Sequence, residues 1–167
     1  MSETTHEPHD RDGLPSVAEL IPHEAPMILV DELVEWTPER ALIRAQVRRG
    51  GPFVSEGRMP ATILLEYMAQ AIAVAEGMGG RTSGRREIGL LLGARELNLE
   101  VDEVAAGDAL ELHVDRQFAD GRVASYACEV RRDGELLARA TVNVMIAPPE
   151  AGTGVGITDD ATEEHER

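Results

Sequence analysis

Three polar side chains interrupt an otherwise apolar stretch from Met59 to Gly77, MPATILLEYMAQAIAVAEG. Thr62, Glu66 and Gln70 recur every fourth residue, so on a helix they fall within about 80° of arc. Ala69, Ala73 and Gly77 fill the gaps in that seam, while Ile63, Leu64, Leu65, Tyr67, Met68, Ile72 and Val74 cover the rest of the circumference. A helix that is apolar on most sides must lie inside something. A glutamate carried there costs on the order of several kcal/mol if it stays charged and unpaired. Glu66 is therefore either neutralised by a partner or faces a cavity where it works. Loss of water disfavours its anion, which suits a carboxyl that hands a proton to a leaving hydroxyl. Ionised, the same group could activate water. Gln70 reads as a residue that orients a neighbour or caps a backbone group, and Tyr67 as core.

The elements that would position this seam follow from periodicity. Ser16–Ile21, bracketed by Pro15 and Pro22, predicts a short helix. Ile28–Trp36 and Arg40–Arg49 predict a strand pair joined by a turn at Thr37-Pro38-Glu39. The second strand turns Ala41, Ile43, Ala45 and Val47 to one face. After the helix, Gly79–Arg86 reads as a loop and Glu87–Leu99 as a strand with a bulge at Gly93. Ala109–Phe118, Arg122–Arg132 and Glu135–Ile146 read as strands linked by Asp120-Gly121 and Asp133-Gly134, both hairpin turn signals. The fold class implied is α+β, an antiparallel sheet wrapped around one long helix. The seam then needs a cover, most simply a second subunit.

The chain has 167 residues, enough for one domain, and both ends read as tails. Residues 1–13 are polar and carry His6 and His9 among acids. Residues 148–167 are acidic, rich in Gly and Thr, and expected to be disordered. The working domain is 14–147. The formal net charge of -15 argues against nucleic acid and anionic membrane as partners. All 16 cationic residues are Arg, a bias of composition. The single cysteine, Cys128, forms no intrachain disulfide and fits a reducing cytoplasm. The N-terminus lacks the basic and apolar regions of a signal peptide. No Cys/His cluster has metal-ligand spacing, and the apolar run Ile63–Ala75 is too short to span a membrane.

Two stretches carry a family resemblance. Leu20-Ile21-Pro22-His23-Glu24-Ala25-Pro26-Met27-Ile28-Leu29-Val30-Asp31 resembles the opening of hot-dog-fold 3-hydroxyacyl-[acyl carrier protein] dehydratases. Pro52-Phe53 followed by Met59-Pro60-Ala61-Thr62-Ile63-Leu64-Leu65-Glu66-Tyr67-Met68-Ala69-Gln70 resembles their central motif. Glu66-Tyr67-Met68-Ala69-Gln70 and the later Leu91-Leu92-Gly93-Ala94-Arg95 are most similar to a divergent subgroup of aryl polyene pathways. The resemblance implies a hot-dog fold, a homodimer or a heterodimer with a related hot-dog subunit, and an acyl carrier protein as partner. It implies no cofactor: the substrate rides on the carrier's phosphopantetheine. It also implies catalysis by a loop histidine and a helix acid. The acid maps onto Glu66. The loop histidine has no counterpart, because Ser55-Glu56-Gly57-Arg58-Met59-Pro60 is shorter and holds Arg58 near that position. An arginine stays protonated at neutral pH and is no base.

Dehydration of a 3-hydroxyacyl thioester needs a base for the proton beside the carbonyl, an acid for the leaving hydroxyl, and donors for the carbonyl oxygen. Pro60 fits the first helical position, and the N–H groups near Ala61 and Thr62 could hold that oxygen. His23 stands in as the base if the Pro22–Pro26 loop approaches Glu66; otherwise it is a packed residue that orders the loop. His113 is expected to be exposed. Arg58 and Arg95 could pair with Glu66, or could attract phosphopantetheine or the carrier's acidic helix, with Arg81, Arg85 and Arg86 as a further patch. Three functions follow: a dehydratase-like enzyme in fatty acid or polyene biosynthesis, a non-catalytic hot-dog subunit that binds acyl chains or completes a partner's tunnel, or an acyl thioesterase.

Overall fold

The computed structural model describes residues 13–84 and 88–147; both terminal tails, Arg85, Arg86 and Glu87 lie outside them. The elements are α1 (Val17–Leu20), β1 (Glu32–Trp36), β2 (Arg40–Gln46), β3 (Arg58–Pro60), a 3₁₀ turn (Ala61–Ile63), α2 (Leu64–Ser83), β4 (Ile88–Leu99), β5 (Glu103–Ala105), β6 (Ala109–Asp120), β7 (Val123–Arg132) and β8 (Glu135–Ala147). Six strands form one antiparallel sheet in the order β1-β2-β6-β7-β8-β4. The long helix α2 packs on one face. Ala41, Ile43 and Ala45 of β2, Leu110, Leu112 and Val114 of β6, and Ala124, Tyr126, Cys128 and Val130 of β7 turn inward as the alternation requires. They meet Leu64, Met68, Ile72 and Val74 of α2, all at most 1% exposed. Each such side chain contributes roughly 1.5–3 kcal/mol by leaving water.

The hairpin turns form where expected. Asp133 and Gly134 both take positive φ, 50° and 81°, as a tight β7–β8 turn demands. The β4–β8 ladder slips register between Leu91 and Gly93, where the bulge was expected.

Three boundaries and one exposure differ from the sequence reading. The strand expected from Ile28 begins at Glu32, because the backbone at Met27 and Leu29 bonds to a helix side chain instead of to a neighbouring strand. Met59 and Pro60 are not helical: they pair with Val104 and Glu103 in a small two-stranded sheet, β3–β5, that alternation over three residues could not reveal. The helix continues through Gly79 and Gly80 to Ser83 and ends at Gly84 in the left-handed region. Gly77, earlier in the same helix, serves packing: a Cβ there would stand 2.2 Å from the Leu20 carbonyl oxygen, so α1 crosses α2 at backbone contact. Glu19 reinforces that crossing by facing Arg81 at 3.7 Å. Finally, His113 is half-buried, not exposed.

Candidate functional site

Glu66 stands in the first turn of α2. One turn later, Gln70 is fully buried and its amide makes three hydrogen bonds. Its Oε1 accepts from the Leu29 N–H at 2.8 Å, and its Nε2 donates to the Met27 carbonyl at 2.8 Å and to Glu66 Oε1 at 2.9 Å. One side chain therefore clamps the Pro22–Asp31 segment to the helix and fixes one oxygen of Glu66. From the other side, Arg48 donates to the Ile28 carbonyl at 2.7 Å and pairs with Asp31, whose second oxygen accepts the Gln46 N–H at 2.7 Å. Sequence reasoning did not single out Arg48 or Asp31 for this role. The signal was the Asp that closes the opening motif, which reads here as a fastener.

The clamp delivers His23 to Glu66. Nε2 of His23 lies 3.9 Å from Glu66 Oε1, and the two side chains are 33% and 35% exposed. That distance is longer than a hydrogen bond, so the two groups face each other without consuming each other. Nδ1 of His23 is buried and has no hydrogen-bond partner among the described residues. The acceptor that orients the second imidazole nitrogen in a Ser-His-Asp triad has no counterpart at Nδ1 among the described residues. Glu66 is not sealed in scaffold, and no hydrogen bond engages its Oε2 among the described residues.

The other predicted residues distribute differently. Gln70 is spent on the clamp, so it cannot contact substrate. Ala61 is 1% exposed and its N–H already donates to the Asp102 carbonyl at 2.9 Å; it is unavailable to a thioester oxygen, and Thr62, exposed in the 3₁₀ turn, remains. Pro60 sits one residue before the helical turn, extended at φ -56° and ψ 135°. Arg58 is exposed on β3, its backbone tied to Ser55 and Ala105. Arg95 is exposed on β4 opposite Thr141. Neither arginine forms an ion pair with Glu66 among the described residues; strand pairing holds both elsewhere. Tyr67 is core, 3% exposed, and burial raises its pKa above the usual phenol value. Among the described residues no group of His, Cys, Asp and Glu could hold a metal ion, and no helix is long and apolar enough to cross a membrane.

Comparison with known proteins matches residues 15–153 to the ApeP-like family, described as ApeP dehydratase. The chain belongs to the ApeP-like dehydratase family. Among curated relatives, it is 31% identical over 141 residues to 3-hydroxyacyl-[acyl-carrier-protein] dehydratase FabZ of Anaeromyxobacter dehalogenans, covering 80% of this chain and 90% of that protein. It is 30% identical over 142 residues to the same-named protein of Acidiphilium cryptum, covering 80% and 84%. Among solved structures, the dehydratase heterocomplex ApeI:P from Xenorhabdus doucetiae superposes with a TM-score of 0.77 at 26% identity, over 82% of this chain and 94% of that one. A Streptococcus pneumoniae hypothetical thioesterase solved with coenzyme A aligns at TM-score 0.56 and 12% identity, a likeness of fold alone. This ApeP-like chain thus has the hot-dog fold expected from its sequence.

Proposed function

We propose that this ApeP-like chain acts in the dehydration of 3-hydroxyacyl thioesters carried on the phosphopantetheine of an acyl carrier protein, in fatty acid or polyene biosynthesis, with no cofactor of its own. Glu66 is the acid. It gives its proton to the C3 hydroxyl as the C3–O bond breaks, water leaves, and the electron pair released at C2 forms the C2–C3 double bond of an enoyl thioester. Thr62, in the turn that opens the helix, is the donor available for the carbonyl oxygen. The observation that carries this reading is the Gln70 clamp, which fixes one oxygen of Glu66 and leaves Oε2 for proton transfer.

His23 faces Glu66 across 3.9 Å but is not assigned as the base, because its Nδ1 has no orienting acceptor among the described residues. The base then comes from elsewhere, and the sheet favours a second hot-dog subunit. Among the described residues β4 pairs only with β8, which leaves its other edge unpaired there. It exposes Leu90, Leu91 and Leu92 at 46%, 47% and 55%. An open strand edge with leucines is a liability in a lone chain and an asset at an interface. The heterocomplex found among the structural neighbours supports a related partner chain over a second copy.

The test is turnover of a 3-hydroxyacyl-carrier substrate by the chain alone and by the chain co-purified with a related hot-dog subunit. Enoyl product from the pair, lost in Glu66→Gln, supports the reading. Free thiol would make it a thioesterase. An active pair that ignores Glu66→Gln would reduce this chain to a structural subunit.

A further inference from the structure

Met27 is the one large apolar side chain of the Pro22–Asp31 segment that stays exposed, at 38%; Leu29 and Val30 turn into the core. Its backbone is fixed on both sides. The Met27 N–H donates to the Glu24 carbonyl at 2.8 Å, and the Met27 carbonyl accepts from Gln70 Nε2 at 2.8 Å. Arg48 holds the next carbonyl, that of Ile28, and Gln70 holds the Leu29 N–H. The same Gln70 nitrogen donates to Glu66 Oε1, so the Met27 carbonyl and the Glu66 carboxylate are only two hydrogen bonds apart. An exposed side chain returns little stability by leaving water. Burial therefore does not account for so rigid a mount beside the acid.

The helix gives the site a direction. Thr62, Glu66 and Gln70 follow one another at steps of one turn, about 6 Å each at 1.5 Å per residue. Thr62 is the donor for the thioester oxygen, and Glu66 meets the C3 hydroxyl. Carbons beyond C3 then lead onward toward Gln70, and so toward the segment that Gln70 clamps. Ala69 and Ala73 lie on the same face, half-buried and small.

We propose that Met27 is a specificity-determining residue, its side chain packing against the acyl carbons beyond C3 and favouring longer apolar acyl groups over short ones. The proposal rests on the dehydratase reading, which supplies the substrate and the direction of its chain. A four-carbon acyl group has a single carbon beyond C3 and stops beside Glu66. An eight-carbon group continues past the clamped segment and meets the thioether. Methionine suits this place, because an unbranched, polarisable side chain adapts to a flexible hydrocarbon.

Octanoyl-pantetheine and butyryl-pantetheine have no C3 hydroxyl to lose, so they report binding without turnover. Each is titrated by calorimetry into the full chain, alone and co-purified with a related hot-dog subunit. Met27→Ala is expected to weaken octanoyl-pantetheine about tenfold, a modest discrimination for one apolar contact, and butyryl-pantetheine less than about twofold. Met27→Leu, apolar and of similar size, is expected to restore octanoyl binding, whereas Met27→Gln, of similar length but polar, should behave like alanine. In an active pair the loss should appear in KM for the 3-hydroxyoctanoyl substrate and not in kcat. Equal losses for both chain lengths, or none, overturn the assignment of Met27 and leave the dehydratase reading intact. Absence of octanoyl-pantetheine binding in every preparation overturns it as well, as does a variant that binds the acyl group normally but no longer joins the partner subunit. A pair that forms no enoyl product yet shows the chain-length contrast sinks the dehydratase reading and supports Met27 as the acyl contact.

Discussion

The two ends of α2 each carry a glutamate that meets a hydrogen-bond donor, yet they are built for different ends. At the N-terminal end, Glu66 is held through one oxygen by the buried Gln70 amide, faces His23 across 3.9 Å, and stays 35% exposed. At the C-terminal end, Glu76 accepts the hydroxyl of Tyr126, which is 2% exposed and anchored in the sheet. Gln70 offers an amide that neither gains nor loses a proton near neutral pH, so it sets geometry and leaves the carboxyl free to exchange its own. Tyr126 binds helix to sheet. The lesson is that a carboxylate's use follows from what its partner leaves available, not from helix position or apolar surroundings.

The largest effect should come from Glu66→Gln in the assembled enzyme. An amide keeps the shape and the contact with Gln70 but has no proton to transfer. Enoyl formation is expected to drop about a hundred- to ten-thousand-fold, with the melting temperature unchanged within error. Glu76→Gln, the matched change at the other end, is expected to leave turnover within about twofold of wild type while lowering stability, since it weakens a charge-assisted bond. Equal loss of activity in both variants would erase the contrast between the two ends.

Gly77→Ala comes next and tests the crossing that brings the Pro22–Asp31 segment to the helix. The new Cβ would stand 2.2 Å from the Leu20 carbonyl oxygen, a backbone atom that cannot swing aside. A loss of about 1–3 kcal/mol by denaturant titration is expected, the range for overpacking. Because α1 leads directly into the loop that holds His23, turnover should fall with it. Gly79→Ala, two residues on, meets only ordinary contact and is expected to be neutral or slightly stabilising.

These two glycines also show what the sequence could and could not convey. Alternation revealed the strands, and Asp120-Gly121 and Asp133-Gly134 revealed the hairpins, because those signals are local. The run Gly79–Arg86 read as a loop, since nothing in sequence says that tertiary contacts hold Gly79 and Gly80 in the helix, or that Gly77 must admit the Leu20 carbonyl. In the site, Glu66 was legible from the apolar surroundings and from the motif that resembles the dehydratases. The approach of His23 was not. It depends on Gln70 grasping Leu29 across 41 positions and on Arg48 and Asp31 fastening the same segment. Ala61 was misread for the same reason: its N–H looked free at a helix start until the Asp102 carbonyl was found bonded to it.

Tyr126→Phe probes the C-terminal end by pH. Burial and Glu76 hold the phenol protonated in the fold beyond its usual range. A group whose folded pKa is raised contributes stability that is complete below its unfolded value, near 10, and is lost as pH climbs above it. Stability of the wild type should therefore decline above about pH 10, and the variant should decline less steeply. Cys128, whose thiol burial pushes up to about 12 from 9.0, adds a similar decline that starts lower; comparing both proteins in a Cys128→Ala background isolates the tyrosine. At neutral pH the variant should lose about 1–2 kcal/mol and keep its turnover.

The smallest effect on the fold should come from Arg58→Ala and Arg95→Ala. Both side chains are exposed and neither pairs with Glu66, so stability should move by no more than about 0.5 kcal/mol. The proposed carrier-linked reaction gives them an electrostatic test. On the proposed reading, a chain of net charge -15 repels an acidic carrier, and cations near the docking face would offset that repulsion. The double variant is then expected to raise KM for carrier-bound substrate severalfold, more at low salt than at high, while KM for the same acyl group on free pantetheine stays put. A rise for both substrates would instead tie these arginines to the acyl or pantetheine moiety, and so to the working end of the helix with Glu66. No change for either would leave them as solvated strand residues and move carrier recognition to the partner subunit.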